Sequence, residues 1–363
     1  VFIYCLEFWR DMFSDVLNKF LNRRAAKSYT RTAYASRPAY SGRRGVVHRA
    51  SKDLVSYYRT NPVVYRCVSY IATSAASIKL QVAKDALSKG GAEELQMLIM
   101  QPNSQQTQSE FLEQAISDYL LTGNAYIVAV FDGDWRPKEL RVLRSENVEV
   151  IKGEYGCPKG YVHHIDDKRI EIPYARSIED DRQVQEVLHI KAYNPTDDFV
   201  GYSPVAAALG PIRHMQGFDA YNAKVMDNAW RPSGVFYYTG SLPLRNEERA
   251  KLERDLSELI ESGDRPVLLE NLKWEPLPHP PAPSYDECTT NPAKRVAQAF
   301  GVPPSLIGII EPKFSNYREA RKQFWDDTVN PLASKFERGL SAWLSNMFGG
   351  AWIERAEDCT PEL

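Results

Sequence analysis

Ser203-Pro204-Val205-Ala206-Ala207-Ala208-Leu209-Gly210-Pro211 opens the stretch that organises this chain, and Asp227-Asn228-Ala229-Trp230-Arg231-Pro232-Ser233-Gly234 closes it. Ser203 followed by Pro204 is a helix start: the hydroxyl can cap, and proline suits the first helical position, where an N–H has no intrahelical partner anyway. Small residues then recur at Ala206, Ala207, Ala208, Gly210, Ala220, Ala223 and Ala229. The spacing predicts a helix over 203–230, about 27 residues spanning roughly 40 Å. A kink is expected at Gly210-Pro211, because an interior proline removes a hydrogen bond and crowds the preceding turn. Such a helix lets neighbouring helices approach closely, although the same alanines also suit an ordinary core helix.

Upstream lies a mixed body. Asn61-Pro62 repeats the start signal and predicts a helix to about Ser77, then a strand over 78–82. A second helix from about Ser109 to Leu121 ends at Gly123, which accepts a left-handed conformation at little cost. Short β runs follow at 126–130, 148–151, 161–165 and 187–190, with turns at Asp132-Gly133 and Asp166-Asp167. Downstream of the small-residue helix comes an insertion: a strand over 235–238, a helix from Asn246 to Ser262, and short runs at 267–269 and 272–274. Five prolines between Pro276 and Pro283 form a stiff connector. A short helix from Asn291 ends at Phe300-Gly301, and an apolar, proline-containing loop leads to a last long helix from Ser315 to about Phe348. Its stripe is Tyr317, Phe324, Val329, Leu332, Phe336, Leu340, Trp343 and Met347. The fold class is α+β, with no repeat at a solenoid period.

At 363 residues the chain has room for about two domains. Its 43% hydrophobic and 25% charged residues are those of an ordinary globular protein. A net charge of −2 excludes a generic polyanion binder, but the average hides an arm. From Val16 to Lys52 there are ten Lys or Arg residues and no Asp or Glu. That arm suits nucleic acid, an acidic protein surface or simply a solvated tail. Ahead of it, Phe2, Leu6, Trp9, Phe13, Val16 and Phe20 recur at helical spacing and predict an amphipathic helix over 2–21. Glu7, Asp11 and Asp15 point this helix to a protein partner and away from anionic lipid, and the opening apolar run is too short to span a bilayer. The five cysteines (Cys5, Cys67, Cys157, Cys288 and Cys359) are scattered, which favours reduced thiols over a zinc site or a disulfide framework.

Catalytic motifs are missing from the sequence. No GxxxxGK[ST] loop cradles nucleotide phosphates. Gly201-Tyr202-Ser203-Pro204 lacks the second glycine of a nucleophile turn and suits a helix start better. His163-His164 in a β run place one imidazole on each face, which is poor for joint metal ligation. His189, between Leu188 and Ile190, reads as a satisfied strand histidine. The paired acids Asp166-Asp167, Asp180-Asp181, Asp197-Asp198 and Asp326-Asp327 lack any ordered relation to a Lys or His that metal-dependent cleavage would need.

Several short phrases, in order, carry a family signal. They are Asn61-Pro62-Val63-Val64-Tyr65-Arg66, Gln101-Pro102-Asn103, Leu120-Leu121-Thr122-Gly123-Asn124-Ala125-Tyr126, Glu139-Leu140-Arg141-Val142-Leu143-Arg144 and Val187-Leu188-His189-Ile190. Then come Asn194-Pro195-Thr196-Asp197-Asp198, Gly201-Tyr202-Ser203-Pro204 and Asp227-Asn228-Ala229-Trp230-Arg231-Pro232-Ser233-Gly234. Phe300-Gly301-Val302-Pro303-Pro304, Asn316-Tyr317 and Thr328-Val329-Asn330-Pro331-Leu332 complete the set. Each is weak alone; together they span residues 53–347, and the chain resembles the portal proteins of long-tailed phages, in the branch shared with gene transfer agents. Pro292 departs from the family's usual uninterrupted helix, and residues 1–50 match poorly.

The resemblance implies a portal fold assembled as a ring. Residues 1–52 would be an N-terminal helix and basic arm, and 53–202 an α/β wing. Residues 203–230 and 284–301 would be two stem helices, with 231–283 a small α/β clip between them. Residues 302–314 would be a tunnel loop, 315–348 the long wing helix, and 349–363 a tail with the family's crown reduced or absent. The tunnel loop would present Val302, Leu306, Ile307, Ile309, Ile310 and Lys313, and the clip Phe236, Tyr238 and Trp274. Arg23, Arg24, Lys27, Arg31, Arg37, Arg43 and Arg44 in the arm would contact DNA or capsid. The implied assembly is a closed ring of about twelve copies at one capsid vertex of a virion, built in a bacterial host's cytoplasm. Double-stranded DNA would pass through it during packaging and ejection. The implied partners are the terminase large subunit, then a head–tail adaptor, and the major capsid protein, with no cofactor, no membrane and no enzymatic activity. Another head–tail connector is the alternative, although those are usually shorter and lack the helix–insertion–helix order. A metal-dependent DNA-processing enzyme is the remaining one.

Overall fold

Asn61 and Thr107 set the two helices around which the body is built. The Asn61 side chain accepts hydrogen bonds from the Val63 and Val64 N–H groups, both at 3.0 Å, and Pro62 starts the helix that follows. Thr107 and Glu110 cap each other reciprocally at the start of the second. The computed structural model describes residues 46–87, 90–131, 136–165, 168–177, 183–227, 234–239, 245–262, 272–276, 286–311 and 314–356. In chain order the body begins with helices α1 (Val46–Thr60) and α2 (Pro62–Ala76), strand β1 (Leu80–Val82), and helices α3 (Ala92–Met100) and α4 (Gln108–Thr122). Strands β2 (Asn124–Phe131), β3 (Pro137–Leu143), β4 (Val148–Lys152), β5 (Pro158–Ile165) and β6 (Lys168–Pro173) follow. The short pair β7 (Arg176–Ser177) and β8 (Gln183–Val184) precedes β9 (Val187–Lys191).

All pairings are antiparallel. Three strands order as β3-β2-β9 and three more as β4-β5-β6. β2 divides the interior. Ala125, Ile127 and Ala129 belong to the main apolar core with α2 and α4, whereas Tyr126 joins a second cluster with Val148, Val150, Tyr161 and Val187. This is the two-residue alternation of a strand with an apolar layer on each face.

After β9 the chain enters α5 (Pro204–Ala207) and α6 (Leu209–Asp227), the insertion strand β10 (Gly234–Tyr238), α7 (Asn246–Ser262) and β11 (Leu272–Pro276). A π turn (Asp286–Thr290) leads into α8 (Asn291–Ala299), which packs beside α6. The last helical run comprises α9 (Phe314–Phe324), a π turn (Trp325–Val329) and α10 (Asn330–Ser345); β12 (Ile353–Arg355) then pairs with β1. Phe336, Leu340, Trp343 and Leu344 of α10 are buried in the main core. Each such side chain contributes about 1.5–3 kcal/mol by leaving water.

The α+β reading holds, with corrections. Order begins earlier than Asn61: α1 starts at Val46, and Leu54, Val55, Tyr57 and Tyr58 pack on the core. Its Arg- and Ser-rich composition concealed that periodicity. The small-residue helix is two helices that break at Ala208, because Pro211 cannot continue the earlier one. The last helix is also interrupted. Pro331 lies in the first turn of α10, where its missing N–H is harmless, and the wide turn before it sets Trp325 and Val329 into the core. Tyr317 is 40% exposed and not part of the apolar stripe. Elements α3, β3, β6 and β12 were not expected from periodicity. The predicted helix over 2–21, the basic arm up to Arg44 and the run at 267–269 lie outside the described residues, as do 277–285 of the proline connector.

Candidate functional site: a polar junction, an apolar loop and an insertion

The junction between β2, β9 and α5 holds the densest polar network of the described body. Helix α4 ends at Gly123 with φ +81°, a left-handed turn that delivers Asn124 to the first position of β2. Asn124 is 6% exposed. Its Oδ1 accepts from the Gly201 N–H at 2.6 Å and lies 3.0 Å from His189 Nε2. The shared acceptor assigns the proton of His189 to Nε2. Asn124 Nδ2 donates to the Thr122 carbonyl, and the Asn124 carbonyl accepts from Ser145 Oγ at 2.7 Å. One side chain thus joins the end of a helix, two strands and the segment entering α5.

Backbone meets backbone here. The Ala192 N–H donates to the Gly123 carbonyl at 2.8 Å. A Cβ on Gly201 would fall 1.9 Å from that carbonyl oxygen, and a Cβ on Gly123 would fall 2.7 Å from the backbone of Gly201 and Tyr202. Ser203, 2% exposed, donates from Oγ to the Leu121 carbonyl at 2.6 Å and accepts from the Val205 N–H at 3.0 Å. It is a helix cap tied to α4.

Two titrating groups sit in this network. Burial pushes the Asp118 carboxyl up to about 6, against the pull of hydrogen bonds from the Ser145 N–H and hydroxyl. Burial, helped by the charge of Lys191, pushes His189 down to about 3. The neutral imidazole stacks on Tyr126, with ring centroids 4.3 Å apart. His163 is also lowered, by burial first and then by His164, whose Nε2 lies 3.6 Å from Glu149. Asp197 is held by Lys152 at 2.8 Å, and Asp326 and Asp327 are exposed; Asp166, Asp167, Asp180 and Asp181 lie outside the described residues. Among the described residues no three His, Cys, Asp or Glu side chains gather as a metal site. The described cysteines, Cys67, Cys157 and Cys288, are free, and burial raises the Cys67 thiol to about 12.

The apolar loop between α8 and α9 is pinned at its base. The Val302 N–H donates to the Ala297 carbonyl at 2.9 Å, and Thr328 Oγ1 donates to the Gly301 carbonyl at 2.7 Å. Val302 and Leu306 are buried in the main core, and Ile307 and Ile309 pack against it. Ile310 alone of the five reaches 43% exposure. Lys313 lies outside the described residues. In the insertion, β10 and β11 pair in register, Phe236 opposite Trp274 and Tyr238 opposite Leu272. Tyr237 and Tyr238 are 49% and 40% exposed.

The order of body, helix, hairpin insertion, returning helix, loop and closing helix is the arrangement to compare with known proteins. Residues 62–359 match the family model for phage portal protein. The chain belongs to the phage portal protein family. Within it, 33% of residues are identical over 307 positions to an uncharacterized protein of Rickettsia bellii, across 81% of this chain and 77% of that one. The portal protein of Enterobacteria phage HK97 is 24% identical over 298 residues, covering 77% of this chain and 66% of its own. Among solved structures, this portal-family chain is similar to one from the neck of an empty gene transfer agent particle computed with C6 symmetry. That chain is 33% identical, with a TM-score of 0.64 and 85% of each chain covered. A chain from the neck of a native particle computed with C12 symmetry gives a TM-score of 0.62 at the same identity and coverage. An HK97-family phage portal protein from Corynebacterium diphtheriae shares the fold, with a TM-score of 0.58 at 14% identity.

Gly123-Asn124 and Gly201-Tyr202-Ser203-Pro204 are separate phrases in the sequence, and only the fold brings them together. Nothing local joins positions so far apart in the chain. The hint was two glycines in unrelated phrases, each needed for one backbone crossing.

Proposed function

We propose that this chain is the subunit of a closed portal ring of about twelve copies at one capsid vertex, through which double-stranded DNA enters and leaves a phage or gene transfer agent particle. The observation that carries the proposal is 33% identity over 85% of both chains to subunits solved in gene transfer agent necks, one of them computed with C12 symmetry. On this reading residues 53–202 and 315–348 form the wing, 203–230 and 284–301 the stem, 231–283 the clip and 302–314 the tunnel loop. The half-exposed tyrosines of the β10–β11 hairpin suit a clip completed by neighbouring subunits, which would dock the terminase large subunit and later a head–tail adaptor. Exposure of Ile310 suits a loop whose tip alone projects, while Val302 and Leu306 fix its base. The arm residues Arg23, Arg24, Lys27, Arg31, Arg37, Arg43 and Arg44 would meet capsid or packaged DNA, away from the sliding path. Tight phosphate neutralisation in the path would hold the duplex fast. The subunit itself would be structural, with the motor a separate protein.

Negative-stain imaging and native mass spectrometry of the purified chain test this directly. Rings with near twelve-fold symmetry, formed without nucleotide or metal, are the expected result. Monomers or dimers under all conditions, including in particles, would overturn it.

A further inference from the structure

The portal reading makes no use of the surface where α2 meets α9. Tyr70 of α2 stacks on Phe324 of α9, with centroids 4.7 Å apart and planes within 14°. The Arg66 guanidinium lies over the other part of this system, 4.9 Å from the Tyr70 ring centroid. Tyr317 and Arg321 of α9 face the same phenol: both influence its ionisation, which burial raises foremost. Tyr65, 52% exposed, continues the surface towards α1, its ring 5.0 Å from that of Tyr58. On α9, Arg318 stands one turn before Arg321, and Lys322 one turn after Arg318.

Arg66, Arg318, Arg321 and Lys322 are all exposed, and none forms an ion pair among the described residues. Carboxylates stand on the same helical run, Glu319 within α9 and the exposed Asp326 and Asp327 one turn beyond Lys322, and Glu113 influences Tyr58. Arg66 and Arg321 converge on Tyr70 from two helices, with two more cations on α9, in a chain whose net charge is only −2. Their chemistry is also specific. An arginine drawn to an aromatic ring loses less freedom when it binds, and its planar fork matches phosphate oxygens. Exposed tyrosine hydroxyls donate to the same oxygens, and such contacts position a duplex without reading its sequence.

We propose that the Tyr65–Arg66–Tyr70 face of α2, together with Tyr317, Arg318, Arg321 and Lys322 of α9, is a contact surface for the phosphate backbone of double-stranded DNA. The inference rests on the portal reading for the presence of DNA, but it uses none of the residues of the basic arm or the apolar loop named above. Few cations on a small area give a grip that a moving duplex can leave. An acidic protein face could also meet these guanidinium groups; DNA is the occupant chosen, because the portal reading puts a duplex beside the subunit, and the test below separates the two.

The test is the salt dependence of binding of the intact chain, in its assembled form, to a short fluorescein-labelled duplex. The triple variant Arg66→Gln/Arg318→Gln/Arg321→Gln should assemble as the parent does. Its slope of log Kobs against log salt should be shallower by about 2.7 for each subunit that engages the duplex, since each phosphate contact contributes about 0.9. The Lys-for-Arg triple should restore most of the slope. Arg318→Gln/Lys322→Gln, which leaves the Arg66–Tyr70 stack intact, should lose about 1.8 and guards against a folding artefact. Unchanged slopes in both Gln variants would overturn the proposal. So would loss of assembly with unchanged duplex binding per subunit, which would make this face a contact for another protein. Ring formation by the parent chain, scored in the same preparations, tests the portal reading separately.

Discussion

In the body, Tyr126, Tyr161, Phe336 and Phe348 are each no more than 2% exposed, and polar groups such as Asn124 and Ser203 are buried with their partners satisfied. In the insertion, Tyr237 and Tyr238 are 49% and 40% exposed, and the described side chains of α7 from Asn246 to Arg254 are exposed except for a half-buried Leu252. The two regions use the same kinds of element. What differs, among the described side chains, is that those four rings of the body are covered and the insertion's two tyrosines are half exposed. Among its described residues the insertion has a two-stranded hairpin and one helix, too little material for a core, so it should depend on contacts beyond its own chain, and the body should not.

The sharpest way to break this contrast is at the backbone crossing. Gly201→Ala places a methyl group where the Gly123 carbonyl already lies, so a loss of at least about 4 kcal/mol, or no folded protein, is expected in urea unfolding. Phe336→Ala should cost about 3–5 kcal/mol by the same measurement, since α10 cannot collapse onto the space left beside Tyr119. If either change is silent, the body is not the self-sufficient unit described.

Protonation sharpens the picture within the body. Burial holds Asp118 at about 6 against an ordinary 3.8, so folding favours its protonated form. That contribution is present below pH 3.8 and is lost as pH rises to about 6. His189 runs the opposite way. It is held at about 3 against an ordinary 6.5, so its contribution is present above pH 6.5 and is lost as pH falls towards 3. Unfolding free energies measured between pH 4 and 6 should therefore rise more steeply in Asp118→Asn than in the parent, and less steeply in His189→Gln.

The smallest effects belong to the insertion. Tyr238→Ala should change the stability of the isolated subunit by no more than about 0.5 kcal/mol, yet loosen the assembled ring, read as a lower dissociation temperature. Arg249→Ala, which removes an exposed pair with Glu253 one turn away, should cost about 0.3–0.5 kcal/mol and leave assembly unchanged. A large loss in the isolated subunit from Tyr238→Ala would mean that the insertion carries a core of its own.

Chain punctuation and period were legible without coordinates. Asn61-Pro62 and Ser203-Pro204 start helices because a side-chain oxygen and a residue lacking an N–H meet the needs of a first turn. Gly123 ends one because a left-handed residue there is cheapest without a side chain. Alternation marked the strands at 126–130, 148–151, 161–165 and 187–190, since each has an apolar face to bury. β12 has three residues, too few for a period, and β6 alternates only through Ile170 and Ile172; their pairing depends on partners, β1 for one and β5 for the other. The apolar loop shows the same limit. Five apolar residues between Gly301 and Pro312 announced something unusual, but sequence could not say that Val302 and Leu306 turn into the core while Ile310 faces out.

Sequence by itself determined the starts of α2 and α5, the end of α4 and the longer alternating strands, because capping and period act within a few residues of chain. Only tertiary structure decided that Gly123 and Gly201 cross with no room for a side chain, that Asn124 serves β9 and the entry to α5 at once, and that Arg66 lies over a ring packed on α9. Those contacts join residues far apart in the chain, and their energies exist only once packing has excluded water from between them.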